Sequence, residues 1–128
     1  MFGNKEINNS MKNKILKVGI VGYGVVGQRR RFFIDKNHHM KTVAICDVRF
    51  KKDGSMIDGA DFNYTYDLLE DQSYEEPLSG KINDEIKFFN NYNNLLTINT
   101  LDILFVSVPN YLAPEVTIAG LEKGLHVF

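Results

Sequence analysis

The chain lacks most of the features that mark out a specialised function. Its 128 residues include one cysteine, Cys46. A disulfide needs two, and a thiolate zinc site needs several at close spacing, so neither a disulfide framework nor a cysteine-based metal site is available. Cys46 reads as a small buried strand residue, and this cysteine usage fits a reducing cytoplasm. Fifteen Lys and Arg against sixteen Asp and Glu leave a net charge of -1, without the basic field expected of a nucleic-acid binder. No run approaches the roughly 20 apolar residues of a membrane-spanning helix. Lys12 and Lys14 precede an apolar run, but Lys17 interrupts it and no small-residue cleavage site follows, which argues against a signal peptide. Internal repeats are absent too. A cytoplasmic protein is expected, with neither nucleic acid nor membrane as a partner.

What is present is a regular alternation. Hydrophobic residues make up 44% of the chain, enough for one domain that buries roughly two-thirds of its unfolded surface. Residues 1–13 are polar and rich in Asn and Lys, and read as a flexible tail. Residues 15–21 form a short apolar run ending at glycines, which suits a strand buried on both faces. Residues 25–36 turn helical, with Val25, Val26, Phe32 and Phe33 expected on the apolar side and Gln28 to Arg31 on the polar one. A second strand is expected over 41–47. Residues 50–85 are acidic, aromatic and turn-rich, and read as an enlarged crossover with a short helix over 64–72. A third strand over 86–89, a short helix over 93–98 and a buried strand over 103–108 follow. The last helix is expected to start near Pro114 and to end before Gly124, with residues 125–128 opening a fifth strand. Alternation of this kind predicts an α/β fold, a doubly wound parallel sheet of about five strands.

The stretch Val18-Gly19-Ile20-Val21-Gly22-Tyr23-Gly24-Val25-Val26-Gly27 carries the main chemical signal. Its G-x-G-x-x-G spacing follows a strand and opens a helix. There the first glycine permits a tight turn, the second lets a pyrophosphate approach the backbone, and the third lets helix and sheet pack closely. The anion would rest on helix N–H groups. Asp47 lies twenty residues beyond Gly27, at the end of the second strand, where a carboxylate accepts hydrogen bonds from an adenosine ribose. Such a carboxylate repels a 2′-phosphate, so NAD is expected in preference to NADP. Arg49, Lys51 and Lys52 lie close by, and an arginine there can accommodate a 2′-phosphate or stack on adenine.

Together, "KVGIVGYGVVG", "VAICD", "NNLL" and "LDILFVSVPNYLAPEVTIAGLEKGLHVF" resemble the N-terminal half of the glucose-fructose oxidoreductase / inositol dehydrogenase (Gfo/Idh/MocA) family. The resemblance implies a Rossmann domain over residues 14–128, from a two-domain oxidoreductase that passes hydride between a nicotinamide cofactor and a sugar, cyclitol or related hydroxyl. It also implies that Gly22, Tyr23, Gly24, Val25, Val26 and Gly27 line the pyrophosphate, and that Asp47, with Arg49 nearby, meets the ribose. Ser107, Val108, Pro109 and Asn110 would face the nicotinamide. The sequence departs from the family pattern in three ways. The family's Glu-Lys-Pro is expected just beyond Phe128, the substrate-binding domain would follow it, and the histidine of the family's Pro-x-x-x-His is replaced by Ala113. No catalytic residue is therefore assigned, and the chain alone is expected to bind cofactor without turnover. A stand-alone nucleotide-binding interaction module is the alternative.

The other constellations read as structural. Arg29, Arg30 and Arg31 point about 100° apart on a helix and cannot converge on one anion, so a solvated face is expected. His38 and His39 read as a surface loop, His126 as a strand-packing residue, and Asp67, Glu70, Asp71, Glu75 and Glu76 as solvated crossover surface. Self-association through the last strand is expected, because that strand would lie at a sheet edge.

Overall fold

Three runs rich in β-branched and aliphatic residues, Leu16–Val21, Met40–Cys46 and Ile103–Val106, form the centre of one sheet because each can be apolar on both faces, the condition for a parallel strand covered by helices, and two shorter runs, Lys87–Phe89 and His126–Val127, pair at its edges. The computed structural model describes residues 14–51 and 86–128. Its strands are β1 (Leu16–Val21), β2 (Met40–Cys46), β3 (Lys87–Phe89), β4 (Ile103–Val106) and β5 (His126–Val127). Its helices are α1 (Val25–Lys36), α2 (Tyr92–Leu95) and α3 (Ala113–Glu122). The sheet order is β3-β2-β1-β4-β5 and every pairing is parallel, so the fold is the doubly wound Rossmann type. The expectations for residues 1–13, for the helix over 64–72, for Lys52 and for the acidic cluster lie outside the described residues.

After β1 the chain winds one way to β2 and β3, then crosses back to β4 on the other side of β1. Because crossovers are right-handed, reversing the winding direction places helices on both faces. Ile34 of α1 packs with Val18, Ile20 and Ile103, whereas Leu95 of α2 and Val116 of α3 pack with Val21, Ala44, Cys46 and Leu104. β1 and β4 therefore flank the topological switch point, where open α/β sheets bind ligands beyond the strand ends.

The burial of α1 departs from the sequence expectation. Val26 and Phe33 are 52% and 57% exposed, while Gly27, Gln28, Arg31, Phe32 and Ile34 are buried. Gly27, Arg31 and Ile34 recur at i, i+4 and i+7 and so share a face. What selects that face is Gly27, since a Cβ there would lie 2.0 Å from the Gly22 carbonyl oxygen. With the first turn pressed onto the β1 turn, the rotation of the helix is set and Phe33 is carried outward.

The expected solvated arginine face is corrected with it. Arg31 is buried, donates to the Tyr23 hydroxyl at 2.7 Å, and pairs with Asp35 at 3.4 Å. Asp35 in turn accepts from the Thr42 backbone N–H at 3.0 Å, tying the last turn of α1 to β2 beside the irregularity in the β1–β2 register. Tyr23→Phe should cost about 2 kcal/mol, the scale of a hydrogen bond to a buried charge, read as a lower melting temperature with unchanged secondary structure.

The last helix starts one residue earlier than expected, at Ala113, with Pro114 in its first turn, and Gly124 closes it at φ +79°. β5 is an edge strand of two residues, and His126 on it is exposed rather than packed. His38 and His39 are exposed beyond α1, as expected.

Candidate functional site

A cleft of about 570 Å³ opens at the carboxyl ends of the strands. One wall is the turn after β1, where Gly22 has φ +96° and a Cβ would lie 2.3 Å from the Ser107 carbonyl oxygen. A side chain at Gly22 would both strain the backbone and push β4 away. The Gly22 N–H donates to the Cys46 carbonyl at 2.7 Å and the Ser107 N–H to the Val21 carbonyl at 2.8 Å, so the three strand ends meet at this turn. Gly24, at the N-cap of α1, lines the cleft and has no capping side chain. Its carbonyl accepts the first helical bond, from Gln28, so the N–H groups of Val25, Val26 and Gly27 point out of the helix end. An anion is favoured there by those N–H groups and by the helix dipole.

Asp47 and Arg49 form the second wall. The Asp47 carboxylate accepts the Tyr23 N–H at 2.8 Å and the Arg49 N–H at 2.9 Å, and two bonds from the Arg49 guanidinium at 2.8 and 2.9 Å. Its side chain is 9% exposed and that of Arg49 is 31% exposed, so the arginine covers the carboxylate on the cleft side. Burial by itself would raise the Asp47 carboxyl, but the Arg49 hydrogen bonds, the two backbone N–H groups and the Arg49 charge hold it below its ordinary value. The neighbouring Cys46 thiol is pushed up to about 12, by burial first and the Asp47 charge second, which makes it inert as a nucleophile.

The third wall is the end of β4. Ser107, Val108 and Pro109 line the cleft with Tyr111 and Leu112. The Arg30 Nη1 donates to the Val106 carbonyl and to the Ser107 hydroxyl, both at 2.8 Å, and its guanidinium stacks 5.7 Å from the Phe105 ring. The fourth wall is α2, capped by the Asn91 side chain, with the Tyr92 hydroxyl donating to Glu115 of α3 at 2.7 Å. That bond raises the Tyr92 hydroxyl above its ordinary value.

A strand, glycine turn and helix in this order, with an acidic residue ending the next strand, match the family model described as "Oxidoreductase family, NAD-binding Rossmann fold" over residues 16–128. The chain belongs to the Gfo/Idh/MocA oxidoreductase family. Solved structures with the same fold include a scyllo-inositol dehydrogenase from Lactobacillus casei with bound NAD(H) and scyllo-inositol. It is 22% identical at a TM-score of 0.59, and the match covers 90% of this chain and 27% of that one. A myo-inositol 2-dehydrogenase from Lactobacillus plantarum is 24% identical at a TM-score of 0.56, over 90% and 27% of the two chains. A probable dehydrogenase from Thermotoga maritima is 21% identical at a TM-score of 0.60, over 88% and 27%. The chain thus spans about a quarter of the length of these proteins. A comparison with curated proteins gives no match.

Within the Gfo/Idh/MocA frame, the structure brings Gly22, Gly24, Asp47, Arg49, Ser107, Val108 and Pro109 to one cleft. Four other expected positions sit differently. The Tyr23 ring is buried, 6.3 Å from that of Phe50, and its N–H is taken by Asp47. Gly27 packs under the turn, and Val26 lines a separate groove with Phe33 and Phe105. Asn110 is exposed outside the cleft, where Tyr111 and Glu115 stand instead. The Tyr23 and Val26 side chains and the Gly27 Cα therefore lie away from the cleft lining, while Val25, Val26 and Gly27 all keep their helix-end N–H groups directed out of the helix. Sequence reading missed Arg30, Tyr92 and Glu115. The Asn-rich run before Tyr92 signals a capped helix, but nothing local marks the partners of Arg30 or Glu115.

Proposed function

We propose that this chain binds a nicotinamide dinucleotide, NAD in preference to NADP, for an oxidoreductase acting on the CH–OH group of a sugar, cyclitol or related substrate. The observation that carries the reading is the uncapped N-terminus of α1 opening onto a cleft at the switch point, with a buried carboxylate on one side and the end of β4 on the other. The donor set suits the cofactor: helix N–H groups for the pyrophosphate, Asp47 for ribose hydroxyls, and the Ser107–Pro109 segment for the nicotinamide half. When bound, the nicotinamide supplies the hydride acceptor.

In this reading Gly22 and Gly24 let the pyrophosphate reach the backbone, and Arg30 fixes the Ser107 hydroxyl at the nicotinamide end. Turnover further needs a group that manages the hydroxyl proton and a surface that holds the substrate carbon against the ring. Ala113, where the family pattern has histidine, cannot move a proton. The 128-residue chain is therefore expected to bind cofactor without hydride transfer. Calorimetric titration should give a tighter dissociation constant for NAD(H) than for NADP(H), and binding of neither would end the proposal. Nicotinamide absorbance should stay constant with a panel of sugars and cyclitols, and substrate-dependent turnover would overturn the expected inactivity.

A further inference from the structure

An ionised carboxylate offers about four acceptor positions, two on each oxygen. At Asp47 four donors occupy them: the Tyr23 N–H and Arg49 Nη2 on Oδ2, and the Arg49 N–H and Nε on Oδ1. The two backbone donors are fixed by the fold. The two guanidinium donors belong to a side chain that is partly exposed and lies in the cleft. A ribose diol approaching Asp47 from the cleft thus meets an arginine already holding the acceptor positions it needs.

We propose that Arg49 is an internal occupant of the ribose end of this site, which NAD must displace and which sets the balance between NAD and NADP. The proposal rests on the dinucleotide reading above and deepens it. Two consequences follow from the geometry. Free NAD loses affinity to the extent that the Arg49–Asp47 pair must open, because a competing intramolecular contact lowers the fraction of binding-competent protein. A 2′-phosphate, by contrast, meets a neutralised pair rather than a bare carboxylate, so the repulsion that Asp47 would exert is cancelled. Arg49 therefore narrows a preference for NAD that Asp47 alone would make wide.

The test is parallel titration of the wild-type chain, Arg49→Ala and Arg49→Lys with NAD and with NADP, alongside thermal melts that report folding. For Arg49→Ala the proposal requires NAD to bind about tenfold tighter and NADP about tenfold weaker, a shift of about 100-fold in the ratio. Arg49→Lys, which keeps the charge but not the two-pronged contact, should tighten NAD while losing less NADP affinity than the alanine variant. An unchanged ratio in a folded Arg49→Ala, or equal weakening of both cofactors as expected if the guanidinium only stacks on adenine, would overturn the proposal and leave dinucleotide binding standing. Wild-type protein that binds neither cofactor would overturn the dinucleotide reading, and the role of Arg49 with it.

Discussion

Gly27→Ala is expected to cost about 4 kcal/mol or more, at the exceptional end for a single substitution. The new Cβ would lie 2.0 Å from the Gly22 carbonyl oxygen, a backbone atom that cannot rotate away. Relief requires lifting α1 off the β1 turn, which also disturbs Arg31, Phe32 and Ile34 beneath it. Gly22→Ala should be comparably severe, because a left-handed backbone costs a non-glycine residue about 1–3 kcal/mol and the Cβ would meet the Ser107 carbonyl at 2.3 Å as well. Gly124→Ala separates the two causes. Its φ is +79° but nothing lies within 4 Å, so only the conformational cost of about 1 kcal/mol is expected. Melting temperatures should fall by roughly 10 °C or more for the first two variants and by a few degrees for the third. Both severe variants should also lose dinucleotide binding. A Gly27→Ala protein that melts within a few degrees of wild type would contradict the close approach of helix and turn.

Asp47→Ala is expected to damage stability and binding together. Removing the carboxylate takes the acceptor from the Tyr23 N–H and two hydrogen bonds from the Arg49 guanidinium, and losing such an acceptor costs about 1–3 kcal/mol at a buried donor, less at the partly exposed arginine. A net loss of about 2–3 kcal/mol should appear in a denaturant melt. NAD binding should weaken further, by about 1–3 kcal/mol, since the ribose hydroxyls lose a charged acceptor. The pH dependence follows from the lowered carboxyl. Its folded value lies below the ordinary 3.8, so its contribution is fully present above about pH 4 and is lost as pH falls through the folded value. Asp47→Asn should flatten that acid limb of the stability profile. An acid limb unchanged from wild type would show that Asp47 is not held as the structure has it.

The order of strands and helices, the glycine turn and the carboxylate at the end of β2 were legible in the sequence because each is a local property. Apolar runs of strand length, glycines between a strand and a helix, and a spacing of twenty residues from Gly27 to Asp47 are fixed by the chain itself. Element ends shifted by only a residue or a few, as at Ala113, where the helix begins before its proline. Three decisions were made only by tertiary packing. The buried face of α1 was misread because its large apolar residues do not mark it. Close approach at Gly27 selects the face, and the sequence presents that glycine as an absence of side chain. Tyr23 went to the core and Arg31 under it, because a buried guanidinium is stable where a hydroxyl and a carboxylate meet it. The site's remaining contacts join residues distant in the chain, as Arg30 reaches Ser107 and Tyr92 reaches Glu115, or depend on a rotamer, as Arg49 folds back onto Asp47. Periodicity and motif spacing carry no information about which donor finds which acceptor, since that is settled by the distances the packed sheet imposes on side chains after the elements have formed.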